Sequence, residues 1–231
     1  VGLLNSLHNL KRDYFSLQDL AEEACKIEID ILKKPMGKQD QYLATFGGFL
    51  VMDIGKDGVV NVSRANASAS TLDGLNRNLL MFYTGENRLA TSILAGQDKA
   101  TQKNEQQVVE SLHYIKESGY KILEMVETGN ITDLGKMFDK HWEYKKKMSS
   151  GVSNPHFDEI YELAKKNGAI GGKISGAGGG GFFTFYCEEK QELLRKSMKE
   201  VGLRELRFDF DFEGTKVLAN FMNYRSTGYA L

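Results

Sequence analysis

Two acidic residues and one run of glycines are where this chain has the means to do chemistry. Glu28 lies beside the apolar Ile27 and Ile31 near the end of a helical pattern. Asp40 follows in the abrupt polar segment Gly37-Lys38-Gln39-Asp40-Gln41. A single helix glutamate is ordinarily a solvated surface charge, and an aspartate after glycine is ordinarily a turn or cap residue. The pair earns interest because the break at Pro35 and Gly37 can fold both carboxylates toward one metal ion or substrate. The third feature runs from Lys173 to Cys187, K-I-S-G-A-G-G-G-G-F-F-T-F-Y-C. Glycine loses more backbone entropy on ordering than any other residue, so such a run persists where φ must be positive or something approaches closely. Successive N–H groups in a tight loop form an anion-binding concavity, and phosphate is the usual occupant. A flexible linker is the bland alternative, but the strand-like Phe182 to Tyr186 follows without a gap.

Phosphoryl transfer needs these three parts together: a phosphate cradle, a carboxylate that holds Mg²⁺ in an oxygen shell, and a group that orients or deprotonates the attacking hydroxyl. Neither G-x-x-x-x-G-K-[ST] nor G-x-G-x-x-G before a valine–lysine strand occurs, so the P-loop and protein-kinase templates do not apply.

Around these residues the pattern is that of a globular α+β chain. A charged fraction of 26% and a net charge of −1 argue against disorder, general nucleic-acid binding and attachment to an anionic membrane. No apolar run is long enough to cross a bilayer. Cys25 and Cys187 are unpaired in sequence and read as reduced thiols of a cytoplasmic protein; the four histidines lack zinc-ligand spacing. Val1 opens inside a helical pattern with no cap ahead of it, which reads as a fragment lacking its upstream part. Ser16 and Asp19 form a capping box for a helix running to about Leu32. Leu50–Ile54 and Val59–Val62 read as a hairpin about Gly55–Gly58, and 63–78 as a crossing between domains. A buried strand is expected at Leu79–Tyr83, then helices near 88–99, 105–127 and 132–148. The last of these ends in Lys145-Lys146-Lys147, which suits the negative end of the helix dipole. Asn154-Pro155 opens a further helix. After the glycine loop come a strand at Phe182–Tyr186, a helix near 190–201 and a strand over 205–212 with Leu206, Phe208, Phe210 and Phe212 on one face.

K-I-S-G-A-G-G-G-G resembles the third motif of the GHMP superfamily of small-molecule kinases, and G-K-Q-D-Q resembles the G-x-x-D-Q segment of its sugar kinases. G-K-Q-D-Q-Y, F-Y-T-G near Phe82, S-S-G-V-S-N-P and F-D-F-E-G-T-K look most like the D-glycero-D-manno-heptose phosphate kinases. The resemblance implies ATP and Mg²⁺ as cofactors and a sugar or sugar phosphate as partner, with no nucleic acid and no membrane; a homodimer stays open. It implies Asp40 as the catalytic carboxylate with Lys38 holding it ionised, Glu28 as the Mg²⁺ ligand, and Ser175, Gly176, Ala177, Gly178 and Gly179 as the phosphate-facing loop. Arg88 is a candidate for a phosphate already on the sugar, against a plain helix-surface reading. The implied fold is the remnant of a ribosomal-protein-like N-terminal domain over 1–76 and a ferredoxin-like C-terminal domain over 77–231. The superfamily's G-L-G-S-S-S-type ATP loop is absent, and V-G-L-L-N-S-L-H resembles the helix after it. The chain alone is therefore expected not to bind ATP in the family's way. Another sugar kinase (galactose or fucose) and a catalytically silent sugar-binding module are the rival expectations.

Overall fold

The computed structural model describes residues 1–86, 90–103, 105–149 and 151–219. Arg88 lies outside them.

The first layer is built from local signals. Helix α1 (Gly2–Lys11) is followed by α2 (Leu17–Cys25), opened by the expected capping box: the Ser16 hydroxyl accepts from the Asp19 N–H, and the Asp19 carboxylate accepts from the Ser16 N–H. A π-helical segment (Lys26–Ile31) continues α2, and α3 (Gln39–Phe46) packs back across it. The hairpin β1 (Leu50–Ile54) and β2 (Val60–Arg64) pairs Leu50 with Arg64 and Ile54 with Val60, as its Gly-Lys-Asp-Gly turn predicts. Ala21, Cys25, Tyr42 and Val60 are fully buried between these elements. Residues 63–78 are not only a crossing: Ser68 caps a helix, α4 (Ala69–Asn78), hidden in the sequence by its small polar residues.

Four strands, β3 (Leu79–Tyr83), β4 (Gly171–Ile174), β5 (Phe182–Tyr186) and β6 (Arg204–Leu206), make an antiparallel sheet in the order β4-β5-β3-β6. Between β3 and β4 lie α5 (Ala90–Gln102), α6 (Gln106–Thr128), α7 (Ile131–Lys146) and α8 (Pro155–Lys166); α9 (Gln191–Glu200) joins β5 to β6. Apart from the extra helices this is the β-α-β-β-α-β order of the ferredoxin-like fold.

Alternation along the strands sends residues to two faces. Leu80, Phe82, Phe183 and Phe185 pack with Phe157 and Ile160 of α8 and Leu194 and Met198 of α9. Each such burial stabilises by about 1.5–3 kcal/mol at most. Tyr186 and Leu79, on the other face, meet Leu75, Val126 and Leu134. There α7 lies almost on the sheet backbone, since a Cβ at Gly171 would overlap the Gly135 carbonyl oxygen and one at Gly135 would overlap the Tyr186 ring.

The expected strand over 205–212 is shorter than its alternation implies. β6 pairs with β3 only through Leu206, and the chain then leaves the sheet to meet the first layer. The Gly48 N–H donates to the Asp211 carbonyl at 2.6 Å, Arg64 to the Phe212 carbonyl at 3.1 Å, and Phe210 packs edge-on to Phe49. Cys25 and Cys187 are free and buried, and no described helix is long and apolar enough to span a membrane.

Candidate active site

Glu28 owes its place to the widened helix. Its segment closes with the Leu32 N–H on the Ile27 carbonyl at 2.9 Å, five residues back, and Lys33 then turns the chain with φ 52°. A π-turn carries an extra residue and is frequent at functional sites. No periodicity in the sequence announces it. The Glu28 carboxylate accepts from Lys34 Nζ at 2.7 Å and from Gln41 Nε2 at 2.5 Å. These two donors, Lys34 first, hold its pKa below the ordinary carboxylate range. Gln41 is buried, and its Oε1 has no partner among the described residues. Glu28 thus reaches, through one hydrogen bond, the residue that follows Asp40.

Asp40 itself sits in the first turn of α3 rather than in a turn, where a helix dipole favours negative charge. It is exposed, and its carboxylate has no hydrogen bond or ion pair among the described residues. Lys38 departs from its expected role. Its ammonium goes to Glu22 Oε2 at 2.8 Å and to the Gly58 carbonyl at 2.8 Å, not to Asp40. The physical reason is that Glu22, partly desolvated and also bonded by the Tyr42 hydroxyl, needs a cation more than an exposed aspartate does. Lys38 therefore ties α2, α3 and the hairpin together and fixes where α3 begins.

The glycine loop is held by its backbone. Ser175 closes it, with its N–H on the Phe182 carbonyl at 2.8 Å and its hydroxyl on that of Thr184 at 3.0 Å. Gly176, Gly178 and Gly179 have φ of 73°, 98° and 73°, which side chains rarely adopt. A Cβ at Gly178 would lie 2.9–3.0 Å from Val152. The Gly179 N–H donates to the Val152 carbonyl at 2.8 Å, and that of Gly181 to Glu86 at 2.9 Å. Within the expected phosphate-facing loop the Ser175 and Gly179 amides are thus taken up in pinning it. Those of Gly176, Ala177 and Gly178 have no acceptor among the described residues. No hydrogen bond or ion pair joins this loop to the Glu28–Asp40 corner among the described residues.

Lys145 was read as complementing a helix dipole; it also clamps the loop, donating to the Ile174 carbonyl at 3.3 Å and to that of Gly176. The sequence signal was its position on one stripe of α7 with Phe138 and His141, spaced for a single helix face. Among the described residues no three His, Cys, Asp or Glu side chains gather as a metal site. Glu28 nonetheless suits Mg²⁺, which commonly takes one or two carboxylates and completes its shell with phosphate oxygens and water.

The comparisons fit this architecture. Residues 122–202 match the family described as GHMP kinases C terminal. The chain carries the GHMP kinase C-terminal domain and has the GHMP kinase fold. More particularly, it is 34% identical over 200 residues to the D-glycero-alpha-D-manno-heptose 7-phosphate kinase of Campylobacter jejuni, covering 86% of this chain and 58% of that one. The crystal structure of a D-glycero-D-manno-heptose 1-phosphate kinase from Bacteroides thetaiotaomicron superposes with a TM-score of 0.71 at 23% identity, over 94% of this chain and 61% of that chain. An L-fucokinase/L-fucose-1-P guanylyltransferase of Bacteroides fragilis is 30% identical over 116 residues, half of this chain and 12% of that protein. The chain spans about three fifths of the length of the heptose kinase relatives.

Proposed function

We propose that this chain is part of an ATP-dependent sugar kinase that transfers the γ-phosphate to a hydroxyl of a heptose phosphate. The observation that carries the reading is the Glu28–Gln41 hydrogen bond, which sets an ionised carboxylate beside the first turn of α3, where Asp40 has no partner among the described residues. The similarity to a heptose phosphate kinase over most of the chain supports the substrate class. In this reading residues 1–76 belong to the N-terminal domain and 77–231 to the C-terminal one. Asp40 takes the proton of the sugar hydroxyl as its oxygen bonds to the γ-phosphorus, and the bond to the departing ADP oxygen breaks. Glu28 would hold Mg²⁺ after its exposed partner Lys34 swings aside; the ion neutralises phosphate charge when bound. Gly176, Ala177 and Gly178 offer amides to phosphate, and Ser175 and Gly179 keep that loop in shape.

The test is an ATP-consumption assay on the whole protein with a panel of sugars and sugar phosphates. Turnover is expected with heptose phosphate and lost in Asp40→Asn, with ATP affinity nearly unchanged. Retained turnover in that variant rejects Asp40 as the base. The partial match to a fucokinase favours one second reading, a fucose kinase, and preference for fucose in the same panel would establish it.

A further inference from the structure

Behind the glycine loop lies a group of cations that the proposed reaction does not use. Lys145 of α7 reaches the carbonyls of Ile174 and Gly176, and Lys173 of β4 places its ammonium over the Phe138 ring, 5.7 Å from the centroid. Both are partly buried, and neither has a carboxylate within ion-pair distance among the described residues. Asp139 pairs instead with Lys165 at 2.9 Å and the Tyr161 hydroxyl, and Asp158 with Lys146 at 3.2 Å; Glu143 of α7 lies within no ion-pair distance of either lysine among the described residues. His141, between Phe138 and Lys145 on the same stripe, keeps a buried Nδ1 with no partner. Burial and then the two ammonium groups push its pKa down to about 4, so the ring is neutral and adds no counter-charge. Burial and Lys173 likewise bring Lys145 down to about 8.

A structural clamp needs none of this. A neutral amide could hold two carbonyls, and the Lys173 side chain makes no hydrogen bond among the described residues. Burial lowers the pKa of Lys173 as well, so two amines with no carboxylate at hand among the described residues burden the fold, a burden that a ligand's negative charge would relieve. We infer that Lys145 and Lys173 form an anion seat behind the Gly176–Gly178 amides, built for a phosphoryl group. Its role in catalysis rests on the kinase reading; its existence does not. The seat would add charge to the backbone donors of the loop, and it would serve a phosphate of the acceptor sugar or of the nucleotide by the same chemistry.

The experiment is titration of this chain with inorganic phosphate, followed by the amide resonances of Gly176 to Gly178 and the ring resonances of His141. Saturable shifts at these amides are expected, with the His141 pKa rising as anion enters. Lys145→Gln and Lys173→Gln should each weaken binding roughly tenfold or more, the loss typical of one charge-assisted hydrogen bond. Lys173→Arg, which keeps the charge, should retain binding and serves also if a glutamine variant fails to fold. Parallel titrations with a hexose 6-phosphate and with ADP assign the seat to acceptor or nucleotide by whichever binds tighter, and either result supports it. Absence of saturable shifts, or equal affinity in folded wild type and both glutamine variants, overturns it. Anion binding without sugar phosphorylation by the whole protein would uphold the seat while rejecting the kinase reading, so the two failures stay distinct.

Discussion

The acidic corner and the glycine loop hold their functional groups by opposite means. At the corner, side chains do the positioning: Gln41 and Lys34 on Glu28, Lys38 and Tyr42 on Glu22, with Asp40 left without a partner among the described residues. At the loop, backbone does it: positive φ, carbonyls of Val152 and Glu86, and a lysine that donates to the Ile174 and Gly176 carbonyls. The corner should therefore tolerate backbone-neutral changes and lose chemistry when a charge is removed. The loop should lose structure whenever a Cβ is added.

The strongest way to break this contrast is Asp40→Asn in the whole protein. With no partner among the described residues to lose, stability should hold within about 0.5 kcal/mol, while kcat falls about a hundredfold to ten-thousandfold if Asp40 is the base. A large fall in melting temperature would show that Asp40 is structural. Next comes Gly178→Ala, where φ 98° and contact with Val152 combine; a loss of about 2–4 kcal/mol is expected from strain and overpacking. Gly176→Ala, at φ 73° with nothing within 4 Å, is its control and should cost about 1–2 kcal/mol. Equal denaturation midpoints for the two would refute the role given to Val152. Lys38→Met leaves Glu22 without its cation; both side chains are partly exposed, so about 1 kcal/mol is expected after screening. Because α3 loses its anchor, kcat should drop although Lys38 touches no reactant.

A separate effect is a pH slope. His141 has a folded pKa of about 4, lowered by burial, against an ordinary 6.5. Between those values the unfolded chain binds a proton that the folded one refuses, so stability falls as pH drops through that window. His141→Gln should flatten the slope in urea midpoints measured from pH 7 to pH 4.5. An unchanged slope would mean the ring is more solvated than its surroundings imply.

How much of this could be read in advance follows from what kind of force sets each part. The capping box at Ser16, the hairpin about Gly55–Gly58, the Asn154 cap and β5 are local, and the sequence announced each one. β4 was missed because Gly171, Gly172 and Lys173 have poor strand propensity; tertiary packing against α7 overrides it. α3 is not announced in the sequence for a similar reason, since its start has no side-chain cap and burial of Gln41, Tyr42 and Thr45 in the first layer makes it a helix. For the candidate site, Glu28, Asp40 and the glycines can be picked out in the sequence by type and spacing. The partners of Lys38 and Lys145 were not, because both lie on elements far apart in sequence.

The close seating of α7 on the sheet has one more consequence. Gly135 and Gly171 let helix and strand touch backbone to backbone, so α7 has no slack along its axis. From that seat to Lys145 the helix spans about 15 Å, and this rigid length acts as a ruler that delivers the ammonium to the loop. Adding or removing one residue within it would rotate Lys145 by about 100° and carry the ammonium off its carbonyls, with every local motif left intact.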